Sequence, residues 1–317
     1  MKHLMAYCLL ILIAIAATQP ASAQTVEMTF NLQPKFVVGQ QSRYSIWTRR
    51  ATVTEVSIMG RQRKQQSSYI IDGEMTWSVL WVNGDGSATC QMTFDWLSLN
   101  MTLPDGSTKH NDTRDGTAEV PTVSAVLTAM VGKPVEVTMS VDGTATAVSG
   151  IDAMRSAAGE GVEIPEDLDF IETACDLATL PYAPAQATVS QSWETAFRWT
   201  HEMGHMNHAI NYTLDGVRNV QGIDLATITG KGILTLDVDQ TKLPPQDNVQ
   251  VDVNLEDGSI QSQILLDMDR HEAVGRNVVM KTRIRMTMDN GTNAISQVTD
   301  ETIHSQALRI SETDPIP

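Results

Sequence analysis

Residues 201–205 read His-Glu-Met-Gly-His, the spacing that on an α-helix sets two imidazoles on one face. There they bind a single Zn²⁺ while the glutamate activates the metal's water as general base. His201 and His205 would be the ligands and Glu202 the base. A third ligand is wanted: His208 is too near for the longer spacing in which a glycine and another histidine follow, and Glu272 beside His271 qualifies by residue type alone. The flanking residues argue for a different backbone. Trp193, Thr195, Phe197, Trp199 and His201 share one parity against Glu194, Arg198 and Thr200. His208, Ile210, Tyr212 and Leu214 share another against Asn207, Asn211 and Thr213. A period of two belongs to a strand, and a helix here would have to carry Gly204 inside it. The sequence therefore predicts a β-hairpin with Gly204-His205 as its two-residue turn, glycine first. That register opposes Trp199 to Ile210, Phe197 to Tyr212 and Thr195 to Leu214. It also makes His201 and His208 cross-strand neighbours, with Met203, His205 and Met206 at the tip. Imidazole and thioether together suit copper, Cu(I) above all. Zinc peptidase chemistry and copper binding are thus the two metal readings, and a solvated hairpin end that needs no cofactor is the favoured one.

Other patterns that carry chemistry are absent. There is no G-x-S-x-G elbow, no phosphate-binding Walker loop and no G-x-G-x-x-G after a strand. Seven carboxylates, Glu160, Glu163, Glu166, Asp167, Asp169, Glu172 and Asp176, crowd one stretch, where a helix start and solvation explain them better than acid–base work. Arg49, Arg50, Arg61, Arg63 and Lys64 gather about one hairpin and read as protection of a strand edge. With 38 acidic and 22 basic residues the formal net charge is −16, which opposes a phosphate-tracking surface and excludes nucleic acid as a partner. The balance leans away from an enzyme, toward a non-catalytic binding or structural module with an unknown ligand or protein partner. A sheet covered by helices could hold an apolar ligand, as a lipid- or lipoprotein-carrier would.

Residues 1–23 hold Lys2, an apolar run from Leu9 to Ala17, and Ala21-Ser22-Ala23 before Gln24. This is the order of a secretory signal peptide, too short in its apolar part to span a bilayer. Export to the periplasm or the cell exterior is expected, with no integral membrane segment after cleavage. An outer-membrane barrel is disfavoured, since only 5% of residues are aromatic and such barrels need aromatic girdles. Cys90 and Cys175 would survive cleavage and are candidates for a disulfide, or for two buried thiols.

Alternation predicts strands over residues 26–32, 43–59, about 75–81 and 90–101, with Asn83-Gly84-Asp85-Gly86 as a hairpin turn and a bulge after Trp96, where the apolar parity shifts. Residues 104–119 read as a polar loop. Short helices are expected over 122–130 and 151–158, and a better one after Pro165, with a hairpin at Asp142-Gly143 between the first two. Strands resume over 193–203, 206–214, 225–229, 233–238, 249–255, 260–268, 278–288 and 295–308. The fold class expected is α+β, predominantly antiparallel β, with a few short helices packed on the sheets. The parts are 24–120, strand-rich; 121–184, helical and acidic; and 185–317, antiparallel. They could also form one continuous domain over 24–317.

Several segments in order resemble an uncharacterised family of exported bacterial proteins, of the domain-of-unknown-function type. They are Gly39-Gln40-Gln41-Ser42-Arg43-Tyr44, Asn83-Gly84-Asp85-Gly86-Ser87-Ala88, Asp112-Thr113-Arg114-Asp115-Gly116, Val131-Gly132-Lys133-Pro134, Asp142-Gly143 with Ser149-Gly150, and Ser192-Trp193. The resemblance implies an exported β-rich protein and no catalytic residue.

Overall fold

Alternation carries further along the chain than its turn residues suggest. The computed structural model describes residues 28–159, 183–201, 203–243, 250–289 and 294–310. Within them thirteen strands build one antiparallel sheet. Three long strands come first, β1 (Gln41–Ile58), β2 (Arg61–Val82) and β3 (Ala88–Thr102). Shorter pieces follow: β4 (Thr108–Asp112), β5 (Thr117–Ala118), α1 (Pro121–Met130), β6 (Val135–Met139), β7 (Ala145–Ser149) and α2 (Ile151–Ala158). A meander closes the order with β8 (Ser192–His201), β9 (Gly204–Val220), β10 (Ile223–Val238), β11 (Gln250–Asp267), β12 (Glu272–Asp289) and β13 (Ala294–Ile310). The sheet runs β5-β4-β3-β2-β1-β13-β12-β11-β10-β9-β8, with β6 added to β3 and β7 to β6. β13 pairs with β1 from Arg43↔Ile310 to Ile58↔Ile295, so both strand-rich parts share one sheet. Among the described residues no ladder joins β5 to β8, and the sheet stays open.

The architecture is antiparallel β with two short helices among the described residues, so helix contributes less than an α+β label implies. Both helices stand where expected; the one expected after Pro165 lies outside the described residues. Several expectations need correction. The polar stretch 104–119 is not all loop, because Thr108–Asp112 adds to β3 through Ser98↔Asp112 to Thr102↔Thr108. The strand expected over 26–32 reduces, in its described part, to one bridge between Phe30 and Ala187. Residues 225–238 form one strand and not two. Gly230 and Gly232 do not break it, because the ring of Tyr212 lies against Gly230, where a Cβ would sit 2.5 Å from Cε1. Residues 250–267 are likewise one strand, with a register shift between Leu255 and Asp257 in place of a break. The bulge expected after Trp96 is present but lies before it, at Asp95, so Trp96 turns to the outer face with Glu74 and does not line the inner face with Phe94. The ladder steps from Glu74↔Trp96 to Met75↔Phe94, leaving Asp95 extra, so Phe94 and Leu97 both point inward. Arg49 and Arg50 lie on β1, interior to the sheet, and guard no edge. Arg61, Arg63 and Lys64 do, since β2 meets β3 only from Ser68 onward and its earlier residues line an open edge.

Directly opposed residues of an antiparallel ladder project to the same side, so the register traces a face. One row across it reads Leu97, Gly73, Ile46, Ala307, Arg276, Ile264, Ile228, Leu214. The next reads Leu99, Ile71, Thr48, Ser305, Val278, Ser262, Gly230, Tyr212, Trp193. Both buried clusters lie on this inner face. The first, around Tyr44, Met75, Cys90, Met92 and Phe94, is covered by β6 and by Leu127 and Met154 of the helices. The second, around Met206, Ile210, Tyr212, Ile228 and Ile264, receives Leu32, Ala183 and Ala187. The last three belong to two segments pinned together by Phe30 N–H to Ala187 O and its reciprocal, both 2.8 Å. The opposite face is satisfied by ion pairs, Arg43–Glu74, Arg198–Asp237, Arg283–Asp300 and Arg285–Glu256 among them. An amphipathic sheet of this kind must have its apolar side covered.

Two polar constructions hold the frame. In the first, the Thr113 hydroxyl accepts from Leu97 N–H (3.0 Å) and donates to Leu97 O (2.9 Å), taking up main-chain groups beside the bulge. Arg114 lies 3.8 Å over the Trp96 ring and donates to Asp112 at 2.7 Å. Its guanidinium holds the Asp112 carboxyl below the usual range. Arg114→Ala is expected to cost about 1–2 kcal/mol, through the lost cation–π contact and the lost guanidinium pair to Asp112, which keeps only the backbone N–H of residue 114; a urea melt reads it, and an unchanged midpoint would contradict it. In the second construction Tyr44 and Arg309, opposite one another on β1 and β13, converge on the β11–β12 turn. Tyr44 donates to Glu272 at 2.8 Å, and Arg309 reaches Asp267 at 2.8 Å and Glu272 at 3.3 Å. Burial first, and Glu272 second, push the Tyr44 hydroxyl well above 10.0, so it remains a donor.

Candidate functional site

The hairpin at residues 192–220 is real, but its register is not the expected one. Trp199 opposes Met206, Phe197 opposes His208, Thr195 opposes Ile210 and Trp193 opposes Tyr212. His201 stands across from Gly204 and not from His208. The reason is Gly204 itself. It is drawn into the β10 ladder opposite Val238, with φ at +150° and the Asp237 carbonyl oxygen 2.1 Å from where a Cβ would be. Only glycine fits that approach, so the turn falls two residues earlier than expected, and Glu202 lies outside the described residues. Each partner moves by an even number, so every side keeps its face.

This geometry bears on the metal readings. His201 ends β8 and His205 lies in β9, so the two imidazoles do not share a helical face of the kind a zinc peptidase needs. His205 and His208 are three apart on β9 and therefore project to opposite faces. Glu272 and His271 sit beyond the other end of β10. Met268 N–H bonds Asp224 O there, whereas Gly204 pairs with Val238, and that length of strand spans roughly 45 Å. Glu272 is committed to Tyr44 and Arg309, and His271 Nδ1 lies 2.9 Å from Gln33 O. Among the described residues no group of three or more His, Cys, Asp or Glu could hold a metal ion; the His201 side chain and Glu202 are not among them. Cys90 lies buried in the first cluster, its thiol pushed up to about 12 by burial, and Cys175, its candidate partner, lies outside the described residues.

What the structure gathers instead is a set of polar atoms on the inner face of β8, β9 and β11. The His208 ring meets Phe197 at 4.7 Å and Trp199 at 4.9 Å, both edge-on. Its two nitrogens are shut off from solvent and have no hydrogen-bond partner. Burial, then the charge of Arg276, push its pKa down from 6.5 to about 4, so the ring is neutral at neutral pH. Trp193 stacks on Tyr212 with centroids 5.8 Å apart and leaves its Nε1–H without an acceptor. Thr195 and Ser262 are 3% and 6% exposed, and neither hydroxyl finds a partner. Buried polar groups in folded proteins are ordinarily paired, and here four residues of one half of one face are not.

Residues 85–169 match a family described as a family of unknown function (DUF6263). No curated relative matches the sequence. Of the segments on which the resemblance rests, the DUF6263 stretch takes in 112–116, 131–134, 142–143, 149–150 and most of 83–88, and with them the Arg114 construction, while 39–44 and 192–193 lie outside it. The polar set on β8, β9 and β11 lies outside it. Among solved structures the chain is similar to lipovitellin, in a structure concerned with lipid–protein interactions, at a TM-score of 0.40 and 8% identity, covering 88% of this chain and 26% of that one. The chain thus spans about a quarter of that protein's length. It is also similar to a DUF1329 family protein from Desulfovibrio piger (TM-score 0.12, 10% identity, 83% and 84% covered) and to a mutant Rh. blastica porin (0.20, 9%, 83% and 100%). At these scores none of the three defines a shared fold.

The sequence offers His208 only as an alternative metal ligand and places Trp193 and Thr195 on the apolar parity without a role. Ser262 and Arg276 escaped that reading. Their signal was available: each is a polar residue on the apolar parity of its strand, between Ile260 and Ile264 in one case and two before Val278 in the other.

Proposed function

We propose that this is an exported, non-catalytic binding protein that holds an apolar ligand on the β8–β12 half of its inner face. One observation carries the reading: Trp193, Thr195, His208 and Ser262 leave polar atoms buried and unpartnered among apolar side chains. Ligand sites are mostly apolar with a few polar groups that fix orientation, and a finished core leaves few such groups unpaired. Residues 1–23 support delivery to the periplasm or the exterior, where such a protein would carry or retain its ligand.

The test is direct. Protein purified from an exporting host is extracted with organic solvent and the extract analysed by mass spectrometry; the stripped protein is then titrated with a fluorescent apolar probe. An apolar compound that co-purifies near one equivalent, and that competes with the probe, is the expected result. No co-purifying compound together with no saturable probe binding would overturn the reading.

A further inference from the structure

Resting on that reading, we infer that the ligand is an elongated, uncharged acyl lipid whose ester or ketone oxygens accept hydrogen bonds from Thr195, Ser262 and Trp193. The donors are distributed along two adjacent cross-strand rows. Trp193 opposes Tyr212, which opposes Gly230, which opposes Ser262; Thr195 opposes Ile210 in the next row. From β8 to β11 is three strand spacings, roughly 14 Å, so a molecule that meets both Thr195 and Ser262 is elongated. It lies along apolar side chains, Ile210, Ile228, Ile260 and Ile264 among them, all buried in the second cluster.

The chemistry of the unpartnered groups sets the ligand's charge. An indole N–H can only donate, and a hydroxyl donates or accepts. None of the four groups carries a charge at neutral pH, the His208 ring being neutral there. Arg276 faces the same side from β12, opposite Ile264, and is already engaged. Arg50, further along the face on β1, is paired with Glu301. A carboxylate or phosphate brought into the β8–β10 rows would therefore lose its hydration with no cation facing it from those three strands among the described residues, Arg276 lying on β12 and already engaged. A carbonyl oxygen would instead find donors that now have no acceptor.

The stripped, full mature protein loaded with a fluorescent apolar probe at pH 7.5 tests this by displacement. The competitors are dioleoylglycerol, oleate, dioleoylphosphatidylglycerol and hexadecane. Dioleoylglycerol is expected to displace the probe at a concentration at least about tenfold below that of oleate or the anionic phospholipid. Thr195→Val combined with Ser262→Ala should raise the diester's displacing concentration about tenfold while leaving hexadecane unchanged. Thr195→Ser, which keeps a hydroxyl, should behave like the parent. Oleate or phosphatidylglycerol displacing as well as the diester overturns the ligand class, as does a double variant that leaves the diester unaffected, and either result leaves the binding reading standing. Failure of every compound, probe included, overturns the binding reading and this inference with it.

Discussion

Replacing Arg309 with leucine is expected to lower the unfolding free energy at pH 7.5 by about 3 kcal/mol and the melting temperature by about 10 °C. Arg309 is the cation that lets two carboxylates sit inside the protein. Asp267 and Glu272 are 2% and 5% exposed, and Arg309 donates to both. Glu272 keeps Arg270 at 3.2 Å and the Tyr44 hydroxyl, so Asp267 is the group left short. It retains only the backbone N–H groups of Asp269 and Arg270. In the parent, burial opposes ionisation of Asp267, but Arg309 and those N–H groups outweigh it and hold the carboxyl below its ordinary 3.8. A carboxylate so held contributes stability above its ordinary pKa and loses it as pH falls below. In the variant burial is no longer outweighed, and the folded pKa should rise past the unfolded one. Folding then takes up a proton, and acid relieves the variant while it does not relieve the parent. Urea melts at pH 7.5 and 4.5 should show the gap between the two proteins narrowing on acidification. A gap below 1 kcal/mol, or one that does not change with pH, would show that the clamp is peripheral.

A second acid response is expected from His208. Its folded pKa of about 4 lies below the ordinary 6.5, so between those values the unfolded chain binds a proton that the native protein refuses. Stability from this group is complete above pH 6.5 and declines as pH falls toward 4. The full shift corresponds to about 3 kcal/mol, and partial solvent access brings the expected loss to about 2 kcal/mol. The ring is faced by Phe197 and Trp199 on β8 and opposes Leu234 on β10, with the charge of Arg276 acting from β12. His208→Phe fills the same aromatic slot without a titrating nitrogen. It should hold its stability between pH 6.5 and 4.5 where the parent declines, and the Asp267 response, being common to both proteins, cancels in the comparison. Parallel acid limbs in the two proteins would refute the assignment.

Much of the sheet could be read directly from the residues. Phe197 and Trp199 had to share a face, the parity shift beside Trp96 required a bulge without deciding on which side of Trp96 it falls, and Asp142-Gly143 had to turn. These are statements about neighbours in sequence, and the period of a strand encodes them locally. The reading failed where a distant segment decided the outcome. Gly230 and Gly232 look like breakers, yet Tyr212 from the adjacent strand fills the space over Gly230. Gly204 looks like the first residue of a turn, yet β10 claims it for a ladder. The polar loop after Pro104 looked unstructured, yet the free edge of β3 offered it partners.

By itself the sequence determined the antiparallel strands, their inward and outward sides and the hairpin in place of a zinc helix, because each follows from the side-chain alternation of an extended chain. Only the tertiary structure decided that β13 returns to β1, that Tyr44, Arg309, Asp267 and Glu272 meet, and that Trp193, Thr195, His208 and Ser262 share one half of one face without partners. Those facts depend on register between strands far apart in the chain. A hydroxyl's burial and its want of an acceptor are properties of everything packed around it, which no local pattern records.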